Sequence, residues 1–340
     1  KQESFVAAMD STGRFSVRVP LVNTSEIYID IGRKGINTVV EPGETYFLLH
    51  DFSTGHVLFM GEDVRFQNEL QTHPPLYVDG YLRKGQGTVD EFRTQMEDKY
   101  RHAVEELSRR VEEHPNLSQR YRYFMESFAL TGLGRSMMQA RFAVPDWQLP
   151  EDYVEFVRTK VWQRPPKPYT LCQNFGILMR DYIGHSSKAK DKARGNAVFN
   201  AFKRLRQQGE ISMTEEEANT VEAYQLAIKE LQEKLNAEPS DSLRQRMVVE
   251  FGKSDLGQRF ISLFKRFEDV LNEEVLADNI DFWKENAESA GCDSILCQIH
   301  LARNLYRQID NIRKPLPDRM MTKAEREIRL EGGWDIVSRE

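Results

Sequence analysis

Apolar and polar residues alternate between positions 14 and 60 of this chain, and the rhythm then changes. Phe15, Val17, Val19 and Leu21 alternate with Ser16, Arg18 and Pro20, and Ile27, Ile29 and Ile31 alternate with Tyr28 and Asp30. A period of two puts each apolar set on one face of a sheet, so both stretches are expected to be strands. Gly32-Arg33-Lys34-Gly35 reads as a hairpin turn. Pro42-Gly43 suits the centre of a type II turn, where proline presets φ and glycine takes the positive-φ position. Tyr46-Phe47-Leu48-Leu49 and Val57-Leu58-Phe59-Met60 are apolar at consecutive positions, which predicts strands covered on both faces. The nearest cover is a helix from Val64 to Leu70, together with Pro74-Pro75-Leu76-Tyr77, and it would make Phe59 and Phe66 core residues.

Between His73-Pro74-Pro75 and Gly85-Gln86-Gly87 the alternation dissolves into a linker. Thr88 with Glu91 then forms a capping-box pattern, and Phe92, Met96, Tyr100, Ala103, Leu107 and Val111 recur at helical spacing. Further helices are expected at 118–142, from Pro150 to the Pro165-Pro166 break, at 171–184 and at 190–207. Thr214 with Glu217 opens another, carrying Val221, Tyr224, Ile228, Leu231 and Leu235. Two heptads are too short for a dedicated coiled coil, so this helix should face a bundle. Phe260, Phe264, Phe267 and Leu271 form a later stripe, and Ile295, Ile299, Ala302, Tyr306 and Ile309 the last one. Thr322 with Glu325 is a third capping box, in a polar tail.

The predicted fold is therefore α+β in two domains. A small antiparallel β-sandwich or sheet occupies residues 1–80, an all-α domain of about eight to ten helices occupies 88–312, and a polar tail or linker helix covers 313–340.

Composition narrows the classes. Apolar residues make up 40% of the chain and charged ones 29%, as in a folded globular protein. No apolar run approaches the roughly 20 residues needed to span a bilayer. A net charge of −6 gives no reason to expect nucleic acid as a partner. The chain opens at Lys1-Gln2-Glu3 inside what reads as a β-region, so a leader, with a lipid anchor, is compatible with an upstream segment.

Candidate chemistry is sparse. Three cysteines, Cys172, Cys292 and Cys297, are too few for a disulfide-built scaffold. Cys292 and Cys297 are spaced C-x-x-x-x-C, not C-x-x-C. If Asp293 caps a helix, they occupy the N′ and N4 positions that meet in a hydrophobic staple. A structural disulfide, two packed thiols and a reactive pair all remain open on this spacing. The histidines lack the spacing of a metal site, and His50-Asp51 with His56 reads as a polar turn. Gly132-Leu133-Gly134-Arg135-Ser136 lacks the G-K-[ST] ending of a phosphate loop, so its small residues are expected to admit close helix packing. Lys188 to Arg206 is a basic helix whose charges are expected to pair or face water, in preference to contacting lipid or nucleic acid. Glu215-Glu216-Glu217 fits the N-terminal dipole of a helix better than acid–base catalysis. No catalytic residue, cofactor or metal is expected in this chain.

Asp10-Ser11-Thr12-Gly13-Arg14-Phe15, the turn Glu41-Pro42-Gly43-Glu44-Thr45, and Gly61-Glu62-Asp63-Val64 leading to Asn68-Glu69 together resemble the N-terminal accessory β-domain of Bacteroidetes TlpA-like thiol–disulfide oxidoreductases. Leu205-Arg206-Gln207-Gln208-Gly209-Glu210-Ile211-Ser212 and the stretch from Ser294 to Pro315 are similar to the helical region that follows it. The resemblance implies a periplasmic, cell-envelope or secreted location. It also implies a non-catalytic role, positioning a thioredoxin domain and contacting a client protein, with the redox chemistry residing in that other domain. A free-standing module binding a peptide or glycan in a groove between sheet and helices is the alternative expectation.

Overall fold

The computed structural model describes residues 5–31, 35–145, 148–193 and 197–313, with backbone alone at 187–193 and 309–313. Over these residues the fold is α+β: two small antiparallel sheets followed by a larger helical region. The chain forms two compact units that divide between His185 and Ser186. The boundary expected at residues 80–88 lies within the first unit, so the strands share that unit with the first helices.

In the first unit β1 (Ser25–Asp30) pairs with β2 (Gly35–Val40), setting Ile29 opposite Ile36. β3 (Phe47–His50) pairs with β4 (Val57–Met60), setting Leu48 opposite Phe59. Ile36, Val57 and Phe59 are buried together, with Ile29, Ile31, Tyr46, Leu48 and Val64 packed around them. The turn between the sheets has Gly43 at φ +82°, as a glycine in the third position of a type II turn requires.

Helix α1 (Arg65–Thr72) buries Phe66 and Leu70, as the apolar pattern predicted. Three carboxamides fasten it to the sheets. Asn68 accepts the Phe59 N–H at 2.9 Å and donates to the Phe59 carbonyl at 2.9 Å. Gln67 Nε2 donates to the Val39 carbonyl at 2.9 Å, and Gln71 Nε2 to the Asn37 carbonyl at 3.0 Å. These bonds satisfy backbone groups that short two-stranded sheets leave open. Asp10 likewise accepts the N–H groups of Thr12 and Arg14 at 2.8 and 2.9 Å. Asp10 and Asn68 thus have direct roles in closing the backbone.

One strand expectation is corrected. Residues 5–24 hold no strand, and Phe15 and Val17 are exposed. Alternation alone does not make a strand: this stretch pairs with no other among the described residues, and Pro20 removes a ladder donor.

α2 (Val89–Glu113) starts at the predicted capping box, with Thr88 and Glu91 each bonding the other's backbone N–H. Phe92, Met96, Ala103 and Leu107 are its buried face. α3 (Gln119–Gln139) is buried on nearly every side, from Tyr121 and Phe124 through Met137 and Met138, and forms the axis of the first unit. α4 (Glu151–Val157) runs on into a π-helical turn to Trp162, and α5 (Gln173–Ala193) follows. The small residues of α3 are packing seats, as expected. A Cβ on Gly132 would lie 2.7 Å from the Val78 carbonyl oxygen, and one on Gly134 would lie 2.8 Å from Val161.

In the second unit α6 (Ala197–Gln208), α7 (Glu215–Ala237), α8 (Asp241–Lys253), α9 (Asp255–Arg266) and α10 (Glu268–Ser289) precede α11 (Ser294–Arg313). Their core holds Ala201, Phe202, Leu205, Ile211, Val221, Phe260, Leu263 and Leu271. Tyr224 stacks on Phe260 with ring centroids 3.9 Å apart. The predicted stripe on α11 is corrected: Ile295 and Tyr306 are exposed, and Leu296 is buried instead. The turn residues Gly32, Arg33 and Lys34, the side chains of Lys188 to Arg194, Ile309 and the Thr322–Glu325 box lie outside the described residues.

Candidate functional site

The β3–β4 hairpin is closed by its own loop. Asp51 accepts bonds from the Ser53 N–H at 2.8 Å and hydroxyl at 2.7 Å, and from the Thr54 hydroxyl at 2.7 Å. The Ser53 hydroxyl, followed by that of Thr54, holds the Asp51 carboxyl well below the usual carboxylate range. Both Asp51 oxygens are thus committed to the turn. Among the described residues no group of three or more His, Cys, Asp or Glu is placed to hold a metal ion.

The hairpin register sends Leu48, Phe59 and Val57 inward and leaves two cross-strand pairs on the other side. Phe47 faces Met60 and Leu49 faces Leu58. Their exposures are 63%, 44%, 55% and 37%, respectively, so the face is apolar and bare. This corrects the expectation that both faces of these strands are covered. α1 packs against β2 and β4 from the inner side, and nothing among the described residues buries the outer one. Consecutive apolar residues led to the expectation of two-sided burial, but among the described residues only the inner side is covered.

The cysteines are arranged against reactivity. All three are free thiols, and Cys172 is fully buried. Asp293 caps α11, accepting the Leu296 N–H at 2.9 Å, so Cys292 and Cys297 do occupy the N′ and N4 positions. The Cys297 thiol lies 3.7 Å from the Cys292 carbonyl oxygen. Burial, with Cys297 and Asp293 as lesser causes, pushes the Cys292 thiol up to about 12. Burial and then Glu288 also raise Cys297. Thiols shifted in this direction carry little thiolate at neutral pH and are poor nucleophiles.

The other sequence candidates resolve into structural roles. Glu217 completes the capping box of α7 and pairs with Arg266 at 2.6 Å. That Arg266 bond, then the Thr214 N–H, brings the Glu217 carboxyl down to about 2. Of the basic helix, Arg204 pairs with Glu274 at 2.8 Å and Asp278 at 2.5 Å, and Arg206 pairs with Glu215 at 2.5 Å. A groove of about 650 Å³ lies along α2 and α3 in the first unit, lined by Tyr100, Val104, Leu130, Arg164 and Pro165 among others. Its rim carries Arg122 and Arg164 together with Glu112 and Glu126, so it favours neither sign of charge.

Comparison with protein-family models, with curated proteins and with solved structures finds no match to this chain.

Proposed function

We propose that this chain is a non-catalytic accessory region of a cell-envelope thioredoxin-like protein, which positions a redox domain and contacts client proteins. The observation that carries the reading is the bare face of Phe47, Leu49, Leu58 and Met60. Four large apolar side chains on a rigid hairpin are arranged as a docking surface, because a folded protein gains by removing such a patch from water. The occupant in this reading is a thioredoxin-fold domain bearing C-x-x-C. The motif resemblance at Asp10–Phe15 and Glu41–Thr45 supports that choice, and so do three cysteines whose own thiols are shifted away from reactivity. No helix among the described residues is long and apolar enough to cross a membrane.

An insulin-reduction assay with dithiothreitol tests the non-catalytic half of the proposal. The chain alone should leave precipitation at the uncatalysed rate, and a clear acceleration would overturn it.

A further inference from the structure

The segment between α1 and α2 is a strap seated along α3, and it carries two exposed tyrosines. The Val78 side chain is buried, and its carbonyl fits over Gly132, where a Cβ would come within 2.7 Å. One helical turn further on, the Gly80 N–H donates to the buried Ser136 hydroxyl at 3.2 Å. The strap therefore follows the α3 axis for at least one turn, held at both points by a small residue of that helix.

The flanking tyrosines point out from this seat. Tyr77 is 56% exposed and Tyr81 is 68% exposed. Neither ring is loose. The Tyr77 ring meets Phe128 edge-on at 5.3 Å, and its hydroxyl accepts a bond from Asn37 Nδ2 at 2.9 Å. The Tyr81 hydroxyl accepts from Arg135 at 2.9 Å, and that guanidinium also donates to Asn174 at 3.0 Å. Phe128 and Arg135 are seven residues apart, so they share one face of α3 and lie about 10 Å apart along its axis. A third tyrosine, Tyr28, is 57% exposed and sits directly across the sheet from Asn37. Asn37, Asn174, Gln71 and Arg135 supply planar hydrogen-bonding groups around the rings.

We infer that this strap is a carbohydrate-binding surface, with Tyr77 and Tyr81 as stacking platforms for two sugar rings of an oligosaccharide. The chemistry selects the ligand class. Aliphatic side chains, as on the β3–β4 hairpin, suit a partner with a continuous apolar surface. Fixed aromatic faces separated by carboxamides suit one that alternates flat C–H faces with hydroxyl groups, and pyranose rings do this. Tyr77 and Tyr81 are four residues apart on the strap, so their Cα atoms are at most about 14 Å apart and one oligosaccharide can reach both rings. Rings already held by hydroxyl bonds lose little freedom on binding, which favours a weakly attractive, flexible ligand. This inference does not rest on the redox-accessory reading and survives its failure.

The test is affinity electrophoresis of the full chain through native gels containing soluble β-glucan, xylan, mannan or chondroitin, with serum albumin as the non-binding standard. At least one polysaccharide should retard the wild-type chain. Tyr81→Ala and Tyr77→Ala should each weaken that retardation, up to about tenfold, and the double variant should abolish it. Tyr81→Phe keeps the ring and should retain most of the binding, which separates stacking from a general loss of structure. Unchanged circular dichroism of Tyr81→Ala establishes that its fold is intact. Absence of retardation in all four gels would overturn the inference. Retardation that the double variant keeps, or binding to unfolded casein in place of polysaccharide, would overturn it equally.

Discussion

Replacing Phe59 by alanine tests the core beneath the two small sheets. Phe59 is 2% exposed and packs with Ile36, Val57, Tyr46 and Leu48. Its ring meets Tyr46 edge-on at 6.5 Å and 87°. Its backbone N–H and carbonyl are both bound by Asn68, so the strand cannot readily collapse into a vacated site. Truncating a buried phenylalanine in such a site costs about 3–5 kcal/mol. Against a domain stability of about 5–15 kcal/mol, that is a large share of the margin. Phe47, on the same hairpin but 63% exposed, supplies the control, and Phe47→Ala should change stability by less than about 0.5 kcal/mol. Urea unfolding followed by circular dichroism measures both variants. The chain has two compact units, so the comparison belongs to the transition that Phe59→Ala shifts. A loss below about 1 kcal/mol for Phe59→Ala, or equal losses for the two variants, would refute the inward and outward assignment of the strands.

Further predictions follow from individual contacts. Gly132→Ala brings a Cβ to 2.7 Å from the Val78 carbonyl and should destabilise the first unit by about 1–3 kcal/mol in the same urea experiment. Thr88→Ala removes the capping box of α2 and should cost about 1 kcal/mol, whereas Thr88→Ser should cost much less. His73, whose ring is 4.6 Å from that of His114, is lowered below its ordinary value of 6.5 by burial and then by His114 and Arg110. The unfolded state therefore binds its proton more readily, so stability should fall as pH drops below 6.5. His73→Asn should flatten that part of a melting-temperature profile, and an unchanged slope would contradict the assignment.

Much of the fold is legible in the sequence wherever the determinants are local. The capping boxes at Thr88 and Thr214, the Asp293 cap and the Pro42-Gly43 turn each depend on residues within a few positions of one another, and all are present. Phe59 and Phe66 are buried because α1, which carries Phe66, follows directly after β4. Long-range facts were hidden. Phe15 to Leu21 has the period of a strand, but period does not reveal whether a partner strand lies beside it, and none does among the described residues. Ile295 and Tyr306 have helical spacing, yet α11 buries Leu296, because which face meets a neighbour is decided by packing. The division between the two units falls within the long α5, just after Gly184, where the helix continues without a break. The seat of the strap on Gly132 and Ser136 joins residues more than fifty positions apart. The candidate docking face was half legible: the apolar run was plain, but its bare outer side was not.

The central claim is that the outer face of the β3–β4 hairpin docks a thioredoxin-fold domain. A photo-cross-linking residue placed at Leu49, 55% exposed in the middle of that face, reads the occupant directly in intact cells. The account predicts a cross-link to a peptide from a domain carrying C-x-x-C, mapped by mass spectrometry, and its loss when Leu58→Lys places a charge beside Leu49. Cross-links only to proteins without that motif, or a C-x-x-C cross-link that Leu58→Lys leaves unchanged, would contradict it.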